Sequence, residues 1–310
     1  MGGILAVTGA TGKSGRVLAK LLVENYETIK QHFEGGVRFL VRDGSGLNLL
    51  INNSEYFHCC VGDINDDSFL DTTTKGADTI LHIAGIKLTI PIVNAAIENH
   101  VKRLIVVHTT GIYSKYKAAG EEYREIEKYV YRQCDENGII LTILRPTMIY
   151  GCMSDKNVAT FVKMVDRLPV MPVVSGGRFA LQPVHYADLG EAYYKVLLNQ
   201  ASTANTDFIL SGGAPIMLRD MFTEIGKNLG KKTRFISCPF IIAYVGAWVL
   251  FILSLSHIDY REKVQRLCED RTFSFEEARN AFGYSPRTFQ EGIVDEVKEF
   301  KAKNSADRRE

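Results

Sequence analysis

Short runs of apolar and β-branched residues alternate along the first half of the chain with longer segments whose apolar residues recur every three or four positions. The short runs are typical of buried strands, and the longer segments are typical of amphipathic helices. This alternation indicates a parallel sheet with helices on both faces, so we predict an α/β fold with a doubly wound (Rossmann) sheet. Six strands are predicted, at Ile4–Thr8, Val37–Val41, Tyr56–Val61, Thr79–Ala84, Leu104–His108 and Ile140–Leu144.

The segments between these strands differ in length. Helices are expected over about Lys13–Asn25 and about Lys115–Glu136. The connection Glu27–Gly36 is longer than most loops that join a helix to a strand. The sixth strand should end at Arg145-Pro146, because proline cannot donate a hydrogen bond in a central ladder.

The regular alternation stops after Tyr150-Gly151, where loops begin to separate mixed elements. A chain of 310 residues has room for about two domains. We therefore predict a nucleotide-binding domain over residues 1–150. Residues 151–310 are predicted to form a smaller, mostly C-terminal substrate region, with some elements that return to the first domain.

The composition is that of a folded globular protein, and it gives no support for a nucleic-acid-binding or metal-binding function. A content of 46% apolar and 24% charged residues allows a large hydrophobic core. Lysine and arginine number 37 against 36 acidic residues, and the net charge of +1 gives no support for a nucleic-acid partner. The six cysteines include no C-x-x-C pair, so no metal site is predicted. Reduced thiols in a cytoplasmic protein are the simplest interpretation.

A glycine-rich loop follows the first predicted strand and leads into the first helix. Its glycines have a G-x-x-G-x-x-G spacing. A tight turn, a close backbone approach to a pyrophosphate and close packing of helix on sheet each require a missing side chain. The free N–H groups at the start of the helix then face the phosphates. We therefore predict a dinucleotide site that includes Gly9, Thr11, Gly12, Lys13, Ser14 and Gly15.

Two other interpretations of this loop compete with a dinucleotide site. The Gly12-Lys13-Ser14 sequence resembles the end of a P-loop, but that motif needs a glycine where this chain has Val7. The other alternative is a glycine turn that binds nothing. The strand before the loop and the helix after it supply the context that a dinucleotide site requires.

The residue that follows the second strand distinguishes NAD from NADP. An acidic side chain there would hold the ribose 2′-hydroxyl, whereas an arginine accommodates a 2′-phosphate. Arg42 is the first residue beyond the predicted strand, and Asp43 is the next. This order favours NADP, but a strand end shifted by one residue would favour NAD. The structural alternative for Arg42 is a solvated surface cation.

Six segments spread over most of the chain carry a family resemblance. They are Thr8–Gly15, Gly62–Ile64, Ala84-Gly85, Leu144–Gly151, Gln182–Leu189 and Ala278–Pro286. Together they resemble the extended and atypical short-chain dehydrogenase/reductases, the superfamily that includes the NAD-dependent sugar epimerases and dehydratases. The resemblance implies an oxidoreductase that transfers hydride at a secondary alcohol or carbonyl carbon, with an epimerase cycle as one form. Asp188, in the fifth segment, has a plainer structural role as N-cap of the following helix.

The resemblance also implies contacts to the cofactor, carried over by position. Asp63 and Ile64 would meet the adenine. Ala84 and Gly85 would pass beneath the ribose and the pyrophosphate. Pro146 and its neighbours would border the nicotinamide.

The chemistry of this superfamily uses a Ser or Thr, a Tyr and a Lys. The tyrosine exchanges a proton with the substrate oxygen and needs a lowered pKa, which a lysine four residues later on the same helical face provides. On this pattern Tyr113 would act as acid/base, Lys117 would lower its pKa, and Thr109 would hold the substrate oxygen.

A second alignment of the same segment gives a different answer. Counting back from Gly138 and Arg145 with the family's common spacing places Ala119 and Tyr123 at the Tyr and Lys positions, and Glu127 at the helix glutamate. The Tyr–Lys pair is then missing, and the fold would carry a non-catalytic NADP-binding sensor or docking protein. An enzyme and a binding module therefore both stay open.

One uncharged apolar stretch, Phe240–Ser256, bears on the partners. Its length is at the low end of the ~17–25 residues that span a bilayer. Tyr244 and Trp248 lie inside it rather than at its ends, where a membrane belt would place them. We predict a buried helix or a lid, with peripheral membrane or partner docking and a true span as alternatives. A lid would suit a bulky apolar alcohol or ketone, and a nucleotide sugar is the other candidate substrate.

Overall fold

The computed structural model describes residues 3–44, 46, 47, 51, 55–116, 118, 120–254 and 259–307. Their strands are β1 (Ile4–Thr8), β2 (Val37–Val41), β3 (Phe57–Val61), β4 (Ala77–His82), β5 (Arg103–Val107), β6 (Ile140–Pro146), β7 (Ile149–Tyr150), β8 (Met171–Val174), β9 (Ala180–Leu181), β10 (Val184–His185), β11 (Thr206–Leu210), β12 (Ile216–Met217) and β13 (Phe235–Cys238). Seven of them form a parallel sheet in the order β11-β6-β5-β4-β1-β2-β3. The predicted doubly wound sheet is confirmed.

Helices connect these strands and cover both faces of the sheet. They are α1 (Lys13–Glu24), α2 (Tyr26–His32), α3 (Asp67–Thr74), α4 (Thr89–Glu98), α5 (Gly120–Glu136), α6 (Val158–Arg167), α7 (Tyr186–Leu198), α8 (Gln200–Thr203), α9 (Leu218–Leu229), α10 (Phe240–Leu253), α11 (Arg261–Arg266), α12 (Glu276–Phe282) and α13 (Phe289–Asp307). The strand order reverses between β1 and β4, and ligands of such sheets bind at the carboxyl ends of the strands at this point.

The hydrophobic core lies in two layers, one on each face of the sheet. Leu18 and Leu22 of α1 are buried with Val196 of α7 on one face. Ile92 of α4 and Val130 of α5 are buried on the other face. A third cluster joins α6, α9 and α13 beyond the sheet. The β-branched strands can be apolar on both sides because each side meets a helix layer.

The far edge of the sheet differs from the prediction in two ways. A seventh strand, β11, comes from beyond residue 151 and pairs with β6. The sixth strand does not end before Pro146, because Pro146 is in register with Leu210. Proline lacks only the N–H donor, and its carbonyl still accepts a hydrogen bond from Thr110 Oγ1 at 3.2 Å.

Two connections also depart from the sequence prediction. The long connection Glu27–Gly36 is mostly occupied by α2, which packs beside α1. The helix expected from about Lys115 begins only at Gly120. The chain before it forms a 3-10 helix over Thr110–Tyr113 and then a turn.

The apolar stretch from Phe240 forms α10, and positions 255 and 256 lie outside the described residues. The prediction that this helix is buried is wrong, since among its residues only Ala247 is buried. Ile241 is 73% exposed and Leu253 is 76% exposed. Within the described part of the chain, no helix is long and apolar enough to cross a membrane.

Candidate active site

The glycine loop joins the carboxyl end of β1 to α1. It lies where the strand order reverses between β1 and β4, and this region is called the crevice below. Gly9 has a left-handed backbone with φ of +75°, and a Cβ there would lie 2.8 Å from the backbone nitrogen of Ala84. A Cβ at Gly15 would lie 2.2 Å from the Gly9 carbonyl oxygen, so α1 can pack against the loop only without a side chain here. Gly12 donates its N–H to the Gly9 carbonyl at 3.0 Å and closes the turn.

The start of α1 is open to an anion. Gly12 is the N-cap and has no side chain to satisfy the first N–H groups, and the first turn contains no acidic residue. The positive end of the helix dipole therefore faces outward. Lys13 is exposed and Ser14 is half-buried, while the Thr11 carbonyl accepts a hydrogen bond from Arg16 Nε at 3.0 Å.

The end of β4 lies against this loop. Gly85 has φ of +110°, and a Cβ there would meet no described atom within 4 Å, so the chain is open toward the crevice. His82 Nδ1 lies 2.7 Å from Thr8 Oγ1, and its Nε2 lies 3.0 Å from the Gly85 carbonyl oxygen. Burial lowers the pKa of His82 to about 4, so a neutral imidazole ties the ends of β1 and β4 together. The sequence interpretation missed His82, although a polar residue within an apolar strand was a signal.

The residues expected near the adenosine half follow β2 and β3. Arg42 and Asp43 are both exposed directly after β2. The backbone and side-chain amides of Asn65 donate to Asp63 and, with a smaller effect of the Arg42 charge, hold the Asp63 pKa below its usual value. Ile64 is only 9% exposed and packs in the core layer that contains α4.

The ends of β5 and β6 bring the expected catalytic threonine and the expected nicotinamide neighbour together. Thr109 Oγ1 accepts the N–H of Gly111 at 3.0 Å and caps the 3-10 helix. The adjacent Thr110 donates its hydroxyl to the Pro146 carbonyl. Thr109 and Pro146 therefore lie at neighbouring strand ends, as their positions in sequence require.

The expected Tyr–Lys pair does not lie on one α-helix as the family pattern requires. Tyr113 is 51% exposed at the end of the 3-10 helix, and its ring lies 5.8 Å from that of Phe273. Helix α5 begins at Gly120, so Tyr113 is on the preceding 3-10 helix and not on an α-helix, and the four-residue α-helical spacing does not apply to it. Lys117 and Ala119 lie outside the described residues.

A carboxylate from late in the chain holds the segment after Tyr113. Glu269 accepts the Ser114 hydroxyl at 2.7 Å and the Lys115 backbone N–H at 3.0 Å. Glu262 accepts the backbone N–H of Ala118 at 3.3 Å. Sequence reasoning missed these contacts, and no local pattern signals them because the partners are about 150 residues apart.

A buried charge network lies beneath the substrate side. Glu127 is 6% exposed and accepts from His108 Nδ1 at 2.9 Å and from Arg145 Nη2 at 2.8 Å. Arg145 also pairs with Asp207 at 2.7 Å. Burial lowers the pKa of His108, and hydrogen bonds from His108 and Arg145 hold the pKa of Glu127 down despite its burial. The network joins α5 to the carboxyl ends of β5 and β6 and to the start of β11.

A second polar cluster anchors the chain after β7 to α13. Glu296 is fully buried and accepts the Gly151 N–H at 3.0 Å. Burial, with a smaller effect of Asp155, raises the pKa of Glu296 to about 9. Asp188 is not an N-cap as predicted, because His185 caps α7 and Asp188 pairs with Arg287 at 2.8 Å.

A family model described as NAD(P)H-binding matches residues 9–166, which is more than half of the chain. The protein therefore belongs to this NAD(P)H-binding family. The matched region begins in the glycine loop and contains the ends of β4, β5 and β6. The resemblance to short-chain dehydrogenase/reductases of the epimerase/dehydratase type is confirmed.

Two relatives of named activity align with most of the chain. The UDP-glucose 4-epimerase of Vibrio cholerae is 22% identical over 97% of this chain and 96% of its own. The 4-hydroxy-2-methyl-3-oxo-4-farnesyl-3,4-dihydroquinoline-1-oxide ketoreductase of Stigmatella aurantiaca is 22% identical over 72% of each chain. The structure of UDP-glucuronic acid 4-epimerase from Bacillus cereus in complex with NAD has a TM-score of 0.72 at 15% identity, covering 96% of this chain and 99% of its own. That structural likeness shows the fold.

Proposed function

We propose that this protein is an oxidoreductase that uses NADP, with NAD as the alternative, at a secondary alcohol or carbonyl carbon. The observation that carries the proposal is the crevice at the reversal of strand order. There the glycine loop, an uncapped helix N-terminus and the open end of β4 adjoin one another. Neighbouring strand ends then offer Thr109 for the substrate oxygen and Pro146 for the border of the nicotinamide.

The residues of this crevice fit a dinucleotide. The missing side chains of Gly9 and Gly15 let the loop pack against Ala84 and the first turn of α1. Gly12 leaves the start of α1 without a capping side chain, and the helix dipole there favours phosphate. Arg42 is exposed after β2 and would hold a 2′-phosphate, whereas Asp43 in that position would hold a 2′-hydroxyl. When bound, the cofactor supplies the carbon that gives or takes the hydride.

The chain's own residues would position the substrate and move a proton. Thr109 would hydrogen-bond the substrate oxygen. Tyr113 would exchange a proton with that oxygen, and its exposed phenol is free to face a ligand. Lys117 would stabilise the tyrosinate by its positive charge.

One observation favours a second candidate function, a non-catalytic NADP-binding module. Tyr113 lies outside α5, and Glu269 already accepts the hydroxyl of the adjacent Ser114. A crevice that binds the cofactor without turnover would act as a sensor or docking protein.

The substrate is proposed to be a small molecule. The Vibrio cholerae relative is a UDP-glucose 4-epimerase, which supports a nucleotide sugar. The Stigmatella aurantiaca relative is a ketoreductase for a farnesylated dihydroquinoline oxide, which supports a bulky apolar ketone. All six cysteines are free thiols, which supports a cytoplasmic location.

The test of the cofactor proposal is a calorimetric titration of the protein with NADPH and, separately, with NADH. We expect tighter binding of NADPH, and we expect Arg42→Glu to weaken NADPH binding while leaving NADH binding nearly unchanged. Tighter binding of NADH would assign the ribose contact to Asp43. A folded sample that binds neither nucleotide would overturn the proposal.

The variant Tyr113→Phe distinguishes an enzyme from a non-catalytic binding module. We expect loss of NADPH-dependent carbonyl reduction with unchanged NADPH affinity, because the substitution removes only the hydroxyl. Tyr116→Phe is the matched control, since Tyr116 is also a partly exposed tyrosine of the same segment. Equal turnover in both variants would contradict the assigned role of Tyr113.

A further inference from the structure

Helix α10 exposes apolar side chains over more than half of its circumference. Its less exposed positions are 243, 244, 247 and 251, which share one stripe at the spacing of a helix. Apart from Phe240 at the first position, which falls on the same stripe, the other positions cover an arc of about 200° at ~100° per residue. Along this arc Ile241, Ile242, Val245, Ile252 and Leu253 are 54% to 76% exposed.

The width of this arc indicates a fluid apolar surrounding rather than one protein partner. A surface helix typically packs on its own protein with an apolar stripe of roughly 100°, and the stripe at 243, 244, 247 and 251 already has that role in α10, which leaves the wider arc uncovered. The only polar side-chain atoms of α10 belong to Tyr244 and Trp248. At ~1.5 Å per residue its 14 residues extend about 21 Å, less than the ~30 Å hydrocarbon core of a bilayer. The helix therefore suits an orientation along a membrane surface.

The charges at both ends of α10 match an anionic surface. Lys232 and Arg234 are exposed shortly before it, and Lys263 is exposed shortly after it. In the described part of the chain none of these three cations forms an ion pair with a carboxylate. Arg261 lies over the rings of Trp248 and Phe251, at 4.9 and 3.9 Å, but it is paired with Asp259 at 2.8 Å, so the unpaired positive charge comes from the other three cations.

We propose that α10 docks along the surface of a lipid bilayer that carries anionic headgroups. The exposed arc inserts at the boundary of headgroups and acyl chains, and the flanking cations contact the lipid phosphates. The proposal does not depend on the cofactor, because α10 contains none of the residues assigned to the crevice. It does connect to the segment after Tyr113 through α11, because Arg261 of α11 packs on the rings of α10 and Glu262 of α11 accepts the Ala118 N–H.

The experiment is flotation of the purified full chain with vesicles of phosphatidylcholine alone and of phosphatidylcholine with phosphatidylglycerol. We expect binding to the anionic vesicles, weakened by salt, and little binding to the neutral ones. Trp248 is the only tryptophan and is 42% exposed on α10, so its emission should shift to the blue on binding. This readout needs no variant.

The variant Ile242→Glu/Leu253→Glu should reduce binding to anionic vesicles by roughly tenfold or more, because two exposed apolar side chains are lost from the docking surface. Val294→Glu is the control, since Val294 is 48% exposed on a different helix. Circular dichroism and the NADPH titration report folding and cofactor binding separately, so a failure of one proposal is distinguished from a failure of the other.

Three outcomes would overturn the membrane proposal. The first is no binding and no Trp248 shift with either vesicle. The second is vesicle binding that the double variant leaves intact, which would place the contact elsewhere. The third is a dimer that sedimentation detects and the double variant dissociates, without vesicle binding, which would assign α10 to a second copy of the chain.

Discussion

The two sides of the candidate crevice are held by different kinds of contact. On the glycine-loop side, backbone meets backbone, with Gly9 and Gly15 leaving no room for a Cβ beside Ala84 and the Gly9 carbonyl. On the substrate side, carboxylates make the contacts: Glu127 pairs with Arg145 of β6, and Glu269 holds the segment after Tyr113. The first kind of contact is a steric requirement that the glycine itself meets, and the second depends on which charged side chains the fold brings together.

This difference determines how each side should respond to substitution. A steric contact tolerates no added atom, so a single methyl group should disrupt the glycine loop. A buried ion pair fails when one partner is removed, because the remaining charge stays buried without compensation. Exposed pairs of the same residue types should contribute little.

The largest expected effect is on the substrate side. Glu127→Ala should lower the free energy of unfolding by about 3 kcal/mol, because Arg145 and His108 lose their buried carboxylate partner. Glu125→Ala is the control on the same helix, since Glu125 pairs with Lys128 at the surface and should cost less than about 0.5 kcal/mol. Urea unfolding of both variants measures the difference. Equal losses would mean that the buried network adds nothing beyond a surface pair.

On the glycine-loop side, Gly15→Ala should cost about 2 kcal/mol of stability and abolish measurable NADPH binding. The added Cβ would meet the Gly9 carbonyl oxygen and displace the loop from α1. Gly246→Ala is the matched control, because Gly246 lies in α10 and a Cβ there meets no described atom within 4 Å. Thermal unfolding and NADPH titration check both. Retained NADPH binding in Gly15→Ala would contradict the steric account.

The pH dependence of the free energy of unfolding tests a buried carboxyl group, Glu296, at its contact with Gly151. The folded-state pKa of Glu296 is about 9 against an ordinary 4.5, so the stability contributed by its protonated form is lost as the pH rises from 4.5 toward 9. Glu296→Gln keeps an acceptor for the Gly151 N–H. Because glutamine does not ionise, the variant should not lose stability as the pH rises. The variant should match the original near pH 4.5 and exceed it near pH 8 by on the order of 2 kcal/mol. Urea unfolding at both pH values measures this.

The exposed Glu291 provides the contrast for that series. Hydrogen bonds from Thr288 lower its pKa, so Glu291→Gln should bring no gain near pH 8. A gain of the same size in both variants would contradict the assignment to Glu296.

The smallest expected effect on stability is at Glu269. Glu269→Gln should cost about 1 kcal/mol, because the amide can still accept one of the two hydrogen bonds from Ser114 and Lys115. We expect turnover to fall while NADPH affinity is unchanged, since Glu269 contacts the segment after Tyr113 and not the glycine loop. Glu276→Gln is the control, because Glu276 forms a surface pair with Arg279. Unchanged turnover in Glu269→Gln would mean that the contact of Glu269 with Ser114 and Lys115 does not contribute to the reaction.

The apolar pattern and the glycine spacing determined much of this protein. The six predicted strands form, and the fold class is as predicted, because apolar residues on both sides of a strand require a helix layer on each face. The glycine loop could be predicted from the sequence because the absence of a side chain is a property of the residue itself. The seventh strand was missed because Thr206–Leu210 lies far along the chain from the six others.

Only the tertiary structure decided which side chains meet at the substrate side and which apolar helix is covered. Glu269 and Ser114 carry no local sign of their contact, because a hydrogen bond over such a separation depends on how the whole chain folds. Helix α4 and helix α10 are both apolar, yet α4 is buried under the sheet and α10 is exposed. An apolar sequence sets the free energy that burial would release, but the surface that buries it is supplied by the rest of the fold or by a partner.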